Sequence, residues 1–180
     1  SCATCHNPEL GFSDGKAKSE GMNGSELKRS APSLWNVAYM KRLFWDARAN
    51  SLEEQMQGPL FSSDEMASSP EEILKKLNRS DEYKRLFRQA FQKENDRDSI
   101  QINEVFTAIA AFETSLVSLN SKYDQYAHGY SDALNENEIE GLNIFRSFVA
   151  RCAECHTPPL FSNQQIAVSG SPEPNPEFFD

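Results

Sequence analysis

Apolar side chains recur at helical spacing through the middle of the chain. Residues 83–91 carry them at positions i, i+3, i+4, i+7 and i+8, and residues 102–116 carry a similar, longer stripe. A shorter apolar face follows Ser69-Pro70, where a serine cap precedes a proline at the first helical position. A last stripe starts after a capping box at Asn135 and is expected to run into Cys152. This pattern predicts an all-α fold.

Long irregular segments separate the predicted helices. Residues 7–34 are rich in turn-forming pairs, and residues 33–49 are rich in aromatic side chains without a clear period. A capping box at 51–54 predicts a short helix that ends at Gly58-Pro59. Residues 118–133 read as a polar connection and a candidate domain boundary. We therefore expect a mostly α structure with long loops, which are typically functional or held by a ligand.

The motif Cys-x-x-Cys-His occurs twice and uses all four cysteines and two of the three histidines. Two intervening residues place both thiols on one side of a helical turn, where each can form a thioether to a haem vinyl group. The adjacent histidine can then bind the iron as its proximal ligand. The sequence therefore predicts two covalently attached haem c groups. The cofactor-binding residues would be Cys2, Cys5, His6, Cys152, Cys155 and His156.

Other uses of a Cys-x-x-Cys pair fit less well. A thioredoxin-like motif should follow a strand in a βαβ pattern, and no strand–helix alternation is evident. A zinc site could use both pairs if the chain brought them together, but it leaves the identical placement of His6 and His156 unexplained. A two-disulfide domain is unnecessary because 180 residues can build a core without disulfides.

The acidic composition narrows the class of partner. The formal net charge of −9 argues against nucleic acid and favours a neutral small molecule or a basic electron donor. No run of about 18 apolar residues occurs, which predicts that no segment spans a membrane.

Haem attachment also indicates a compartment. Because thioether attachment is normally completed outside the bacterial cytoplasm, we expect a periplasmic protein. Ser1 directly precedes the first haem cysteine, which suggests a processed or truncated product. The chain ends soon after His156, so the second haem half is expected to be incomplete.

Several segments together resemble the bacterial dihaem cytochrome c peroxidase and MauG superfamily. Their order and spacing agree along nearly the whole chain. The segments are residues 2–15, 31–38, 44–49, Glu54-Gln55, Gly58-Pro59, Glu65-Met66, 111–113 and 152–156.

The resemblance implies two cytochrome c-like haem domains, of which the second is incomplete. Residues 1–120 would form the peroxidatic, low-potential haem domain, and residues 121–180 would begin the electron-transfer, high-potential domain. The family's N-terminal lead-in and most of its C-terminal haem domain are expected to be missing.

The same resemblance assigns site residues. Glu65 matches the distal acid, and Gln55 and Pro59 match residues that shape the peroxide pocket. Trp45 matches the tryptophan that lies between the two haems. The resemblance thus implies a catalytic set of Glu65, Trp45, Gln55 and Pro59.

Two positions depart from the family pattern. Met22 lies in a polar glycine loop where reductively activated peroxidases carry a histidine ligand; a thioether is also a known axial ligand, so Met22 is a candidate distal ligand. Ser30 stands where the family has the asparagine that binds calcium between the haems. Ser30 is therefore the candidate calcium residue.

The resemblance implies a periplasmic enzyme that reduces hydrogen peroxide with electrons from a small redox protein, either a cytochrome c or a cupredoxin. A homodimer is a candidate assembly. One alternative is a MauG-like enzyme that oxidises residues of a partner protein. The other is a non-enzymatic dihaem electron-transfer cytochrome with both irons six-coordinate.

Overall fold

The computed structural model describes residues 1–94 and 99–165. These residues form helices, two short 3-10 turns (Pro8–Leu10 and Val37–Tyr39) and isolated bridges, with no strand among them, so the predicted all-α class is confirmed. The proline-rich stretch beyond residue 165 lies outside the described residues. The helices are α1 (Cys2–Cys5), α2 (Leu52–Gln55), α3 (Gln57–Phe61), α4 (Pro70–Leu77), α5 (Asp81–Ala90), α6 (Ile102–Ser115), α7 (Lys122–Ala127), α8 (Glu136–Arg146) and α9 (Cys152–Cys155).

The described chain divides into two compact units, residues 1–116 (unit 1) and residues 117–165 (unit 2). The segment 118–133, predicted as a polar connection, contains helix α7. Ser121 caps this helix, because its hydroxyl accepts from the backbone N–H of Asp124 while the Asp124 carboxylate accepts from the Ser121 N–H at 2.8 Å. The predicted polar connection is therefore wrong over Lys122–Ala127, where a helix begins with a capping box.

The core of unit 1 lies where α2 and α3 pack against α6. Four buried apolar side chains meet there, and the rings of Phe61 and Phe106 add an edge contact with centroids 6.2 Å apart. The apolar stripe of α6 therefore faces the helices that carry the candidate pocket residues. The buried members are Met56, Leu60, Phe106 and Ala110.

The stripes predicted for α4, α5 and α6 are all present as helices. Ser69 caps α4, because its hydroxyl accepts from the N–H of Glu72 at 3.2 Å. The expected stop at Gly58-Pro59 is wrong, since α3 runs from Gln57 through Phe61. Proline is tolerated in the first turn of a helix because the N–H that it lacks would have no intrahelical partner there.

Unit 2 departs from the prediction just before its haem motif. Helix α8 ends at Arg146 and does not run into Cys152. The backbone becomes extended at Ser147, whose hydroxyl accepts from the N–H of Ala150 at 3.1 Å. This local hydrogen bond competes with continuation of the helix. The next two side chains, Phe148 and Val149, are 86% and 92% exposed.

Unit 2 has no buried apolar side chain among its described residues, and its one buried residue is Asp124. An aromatic group around Phe161 is its main packing feature, with the rings of Tyr123 and Phe145 at centroid distances of 5.0 and 5.7 Å. A small domain with so little buried apolar surface typically needs a ligand or a covalent group to fold. Over the described residues, no helix has the length and apolar character that crossing a membrane requires.

Glu113 on α6 is a half-buried acid that faces no counter-charge among the described residues. Its Oε2 atom is buried and has no hydrogen-bond partner among the described groups. Burial, reinforced by the charge of Glu53, raises the pKa of the Glu113 carboxyl to about 7. The folded protein therefore binds the Glu113 proton more tightly than the unfolded chain does. The free energy of unfolding that depends on this proton is lost as the pH rises through about 7.

We predict that Glu113→Gln stabilises the haem-loaded protein at pH 8 and has little effect at pH 5, because glutamine stays neutral. The gain at pH 8 should be on the order of 1–2 kcal/mol after allowance for solvent screening. Denaturant unfolding at both pH values measures it. Exposed Glu82 on α5 gives a matched control, Glu82→Gln. Equal pH dependence in the Glu113 variant and the parent would contradict the prediction.

Candidate haem and peroxide site

Each Cys-x-x-Cys pair lies on a single helical turn, α1 or α9. The histidine that follows stays attached to that turn, because the N–H of His6 donates to the carbonyl of Cys2 at 2.8 Å and that of His156 to Cys152 at 2.9 Å. All four thiols are free of disulfide bonds. Both motifs therefore present two thiols and one imidazole from five consecutive residues.

The side-chain hydrogen bonds of both histidines show which ring nitrogen can bind a metal. Nδ1 of His6 lies 2.9 Å from the carbonyl oxygen of Phe12, and Nδ1 of His156 lies 3.1 Å from that of Phe161. A carbonyl only accepts, so Nδ1 must carry the hydrogen in each ring. The lone pair is then on Nε2, which is the tautomer and orientation that a metal ligand needs.

The two carbonyls come from phenylalanines in the same unusual backbone conformation. Phe12 has φ 59° and Phe161 has φ 53°, both in the left-handed region where bulky residues are rare. Neither phenylalanine is among the residues predicted from the sequence. A signal was present, because His-x-Pro-x-Leu-Gly-Phe-Ser at 6–13 nearly repeats as His-x-Pro-Pro-Leu-Phe-Ser at 156–162. The repeat thus extends from the cysteines to the residue that orients the histidine.

The donor set fits a covalently held iron porphyrin. Two thiols and one oriented imidazole are what haem attachment requires. Over the described residues, each unit taken by itself holds no group of three or more histidine, cysteine or acidic side chains that could bind a metal ion.

Glu65 lies on a tight turn after α3. Its N–H donates to the carbonyl of Ser62 at 3.2 Å, and the N–H of the next residue, Met66, donates to Pro59 at 3.1 Å. The turn therefore folds back onto α3 and fixes the Glu65 backbone. Burial raises the pKa of the half-buried Glu65 carboxyl above its usual range, and the Arg48 guanidinium opposes this shift.

The loop that carries Met22 is docked on the Glu65 turn. The N–H of Met22 donates to the carbonyl of Glu65 at 3.2 Å. Gly21 is needed for this approach, because a Cβ there would lie 1.8 Å from the carbonyl oxygen of Asp64. The structure therefore brings the two candidate distal residues together through their backbones. The Met22 side chain itself is 68% exposed, and its role as an iron ligand stays a prediction.

Trp45 lies at the tip of a loop closed by paired backbone bonds between Leu43 and Ala49. Its indole Nε1–H donates to the carbonyl of Ser30 at 3.1 Å, although the side chain is 66% exposed. A second link is the ion pair from Arg29 to Asp46, at 3.2 Å. The segment around Ser30 therefore holds the Trp45 loop, while calcium binding by Ser30 stays a prediction.

The other predicted pocket residues lie on the helices beside this loop. Gln55 is the last residue of α2 and Pro59 lies in α3, and both are half-buried. The Phe44 ring packs against the start of α3, where a Cβ on Gly58 would lie 2.9 Å from its Cζ atom. Glycine at this position lets the Trp45 loop approach the helix that leads to Glu65.

Most of the chain matches the model of a known protein family. A family model described as di-haem cytochrome c peroxidase matches residues 1–132. The chain belongs to this family. Membership implies covalently bound haem c, which the two motifs are suited to hold.

This member of the di-haem peroxidase family is similar both to proteins named cytochrome c peroxidase and to proteins named MauG. It is 34% identical over 170 residues to the cytochrome c551 peroxidase of Nitrosomonas europaea, covering 94% of this chain and 49% of that protein. It is 37% identical over 166 residues to the methylamine utilization protein MauG of Methylorubrum extorquens, covering 92% and 46%. The chain thus spans about half the length of the curated relatives it matches.

Two crystal structures share the fold. A MauG-like protein associated with microbial copper homeostasis aligns with a TM-score of 0.80 at 33% identity, over 87% of this chain and 45% of that one. The diheme peroxidase BthA from Burkholderia thailandensis aligns with a TM-score of 0.70 at 30% identity, over 87% and 44%. The helical fold of this family member is therefore that of dihaem proteins.

We predict that Phe12→Val raises the midpoint potential of the first haem. A β-branched residue is strained at this positive φ, so the carbonyl should move away from His6. An imidazole without that hydrogen bond is a weaker donor to iron. Potentiometric titration of the haem-loaded protein measures the shift.

Phe12→Gly is the matched control, since glycine adopts this backbone conformation and keeps the carbonyl in place. Its first-haem potential should stay close to that of the parent. A valine variant with the parental potential would show that the Phe12 carbonyl does not tune the haem.

Proposed function

We propose that the protein is a dihaem peroxidase of the periplasm that reduces hydrogen peroxide to water. Its electrons would come singly from a small redox protein, a cytochrome c or a cupredoxin. The observation that carries the proposal is the half-buried Glu65 carboxyl, held on a fixed turn in the same unit as the His6 motif. Residues 1–120 would serve the peroxidatic haem, and residues 121–180 would begin the electron-transfer domain.

Peroxide reduction needs a proton at a defined place. When bound, the haem of the first motif supplies the iron chemistry that cleaves the O–O bond. Glu65 takes a proton from one peroxide oxygen and returns it to the oxygen that leaves as water. A carboxyl does this best when its pKa lies close to the working pH, and burial raises the pKa of Glu65 in that direction.

The remaining residues position this step. Gln55 and Pro59 form the walls that orient peroxide beside Glu65. Trp45 carries electrons between the two haems, and its hydrogen bond to Ser30 holds the indole in one orientation. Met22 acts as a replaceable distal ligand, consistent with a side chain that is exposed while its backbone is docked on Glu65. Ser30 would also contribute to a calcium site, which the metal content of the purified protein tests. The protein would form a homodimer, which its molecular mass in solution tests.

A MauG-like activity on a partner protein is the second candidate. It is favoured by the 37% identity to a protein named MauG. Steady-state peroxide turnover with reduced cytochrome or cupredoxin separates the two. Fast turnover supports the peroxidase, whereas slow turnover with oxidation of residues in a co-purified protein supports the MauG-like enzyme. EPR or optical spectra test the non-enzymatic alternative. In a cytochrome that only transfers electrons, both irons would be six-coordinate, and no redox state would show a high-spin ferric signal.

Glu65→Gln should slow peroxide cleavage by roughly a hundredfold or more, because the amide cannot relay the proton. Stopped-flow spectroscopy of the haem-loaded protein with hydrogen peroxide measures the rate. Haem content and the spectrum of the resting protein should be unchanged.

Glu9→Gln is a suitable control, since Glu9 is an exposed acid of the same unit. It should react at the parental rate. If Glu65→Gln also keeps that rate, Glu65 is not the proton relay and the proposed site is wrong.

A further inference from the structure

Trp35 lies beside the residue that orients the first histidine. Its indole meets the ring of Phe12 edge-on, with centroids 5.2 Å apart and an angle of 84° between the planes. The carbonyl of Phe12 is the partner of His6 Nδ1 at 2.9 Å. One ring contact and one hydrogen bond thus connect the indole to the imidazole of the first haem motif.

The backbone around Trp35 is fixed on both sides. The N–H of Trp35 donates to the hydroxyl of Ser33 at 3.1 Å, and that hydroxyl donates to the carbonyl of Gly11 at 2.5 Å. The N–H of Asn36 donates to the carbonyl of Leu116 at the end of α6, at 2.8 Å. The position of the indole next to Phe12 therefore follows from the fold of unit 1.

Trp35 also reaches the surface, with 39% of the residue exposed. A Cβ at Gly11 would lie 3.8 Å from Cδ1 and 3.9 Å from Nε1 of the indole, so the glycine places no side chain over this edge. Tryptophan is among the side chains that lose one electron most readily, and an indole near water can release its Nε1 proton. Trp35 combines a connection to His6 with access to solvent.

We propose that Trp35 is a one-electron oxidation site that carries oxidising equivalents from the His6 side of the first haem to the surface. The inference rests on the proposed peroxidase function. Reduction of one hydrogen peroxide to two waters withdraws two electrons from the protein. Trp35 returns one electron toward the first haem and releases its Nε1 proton to solvent, leaving a neutral indolyl radical. An external one-electron donor supplies the electron that restores the indole, and solvent returns the proton.

This role is distinct from that proposed for Trp45. Trp45 is held by Ser30 through its Nε1–H, whereas Trp35 contacts the Phe12 ring. Trp45 would pass electrons between haems, and Trp35 would exchange them with a donor at the surface of unit 1. The two tryptophans can therefore be separated by single substitutions.

The test uses the haem-loaded protein, labelled with ring-deuterated tryptophan, and one equivalent of hydrogen peroxide. Freeze-quench EPR detects the radical, and trapping with 2-methyl-2-nitrosopropane followed by peptide mass spectrometry locates it. We expect the trap on Trp35 in the parent protein. Trp35→Phe should lose that adduct and most of the indolyl signal, with haem content and resting spectrum unchanged. Phenylalanine preserves an aromatic ring against Phe12.

Tyr39→Phe is the control and should keep the adduct on Trp35. Tyr39 is a comparably exposed aromatic residue of unit 1, at 46%. A haem spectrum that responds to peroxide without any adduct on Trp35 would overturn this inference alone. A haem spectrum that does not respond at all would overturn the proposed function, and this inference with it.

Discussion

An imidazole whose Nδ1 hydrogen is donated to a backbone carbonyl can offer only Nε2 to a metal. Both haem motifs impose this constraint through a phenylalanine in the left-handed conformation, Phe12 in one unit and Phe161 in the other. The cysteine turn places the histidine, and the loop after it turns the ring. Since the backbone provides the acceptor, the orientation depends on local fold rather than on a second polar side chain. The direction in which each histidine can bind a metal is therefore set by the protein backbone.

The amount of apolar surface buried within each unit is consistent with haem as a structural element. Unit 1 has its own core between α2, α3 and α6, while unit 2 buries no apolar side chain among its described residues. A covalently attached porphyrin would supply the missing apolar surface. The loops that carry Met22 and Glu65 are fixed by backbone hydrogen bonds and by the close approach at Gly21, which leaves these two side chains available to a cofactor and a substrate. The Trp45 indole, by contrast, is held by the carbonyl of Ser30.

The sequence predicted the features that depend on short-range patterns. Apolar stripes identified α4, α5 and α6, and the Ser69 cap also marked the start of α4. Two helix ends were predicted wrongly for local reasons. Proline was tolerated in the first turn of α3, and the Ser147 hydroxyl ended α8 early. The docking of Met22 on Glu65 and the bond from Trp45 to Ser30 join residues far apart in sequence, so no local pattern could indicate them.

The central claim is that each Cys-x-x-Cys-His turn holds a haem through two thioethers and the Nε2 of its histidine. Peptide mass spectrometry of the isolated protein tests it most directly. The account predicts one haem mass on the peptide containing Cys2 and Cys5, and one on the peptide containing Cys152 and Cys155. Unmodified thiols on either peptide, or zinc in place of iron porphyrin in the intact protein, would contradict it.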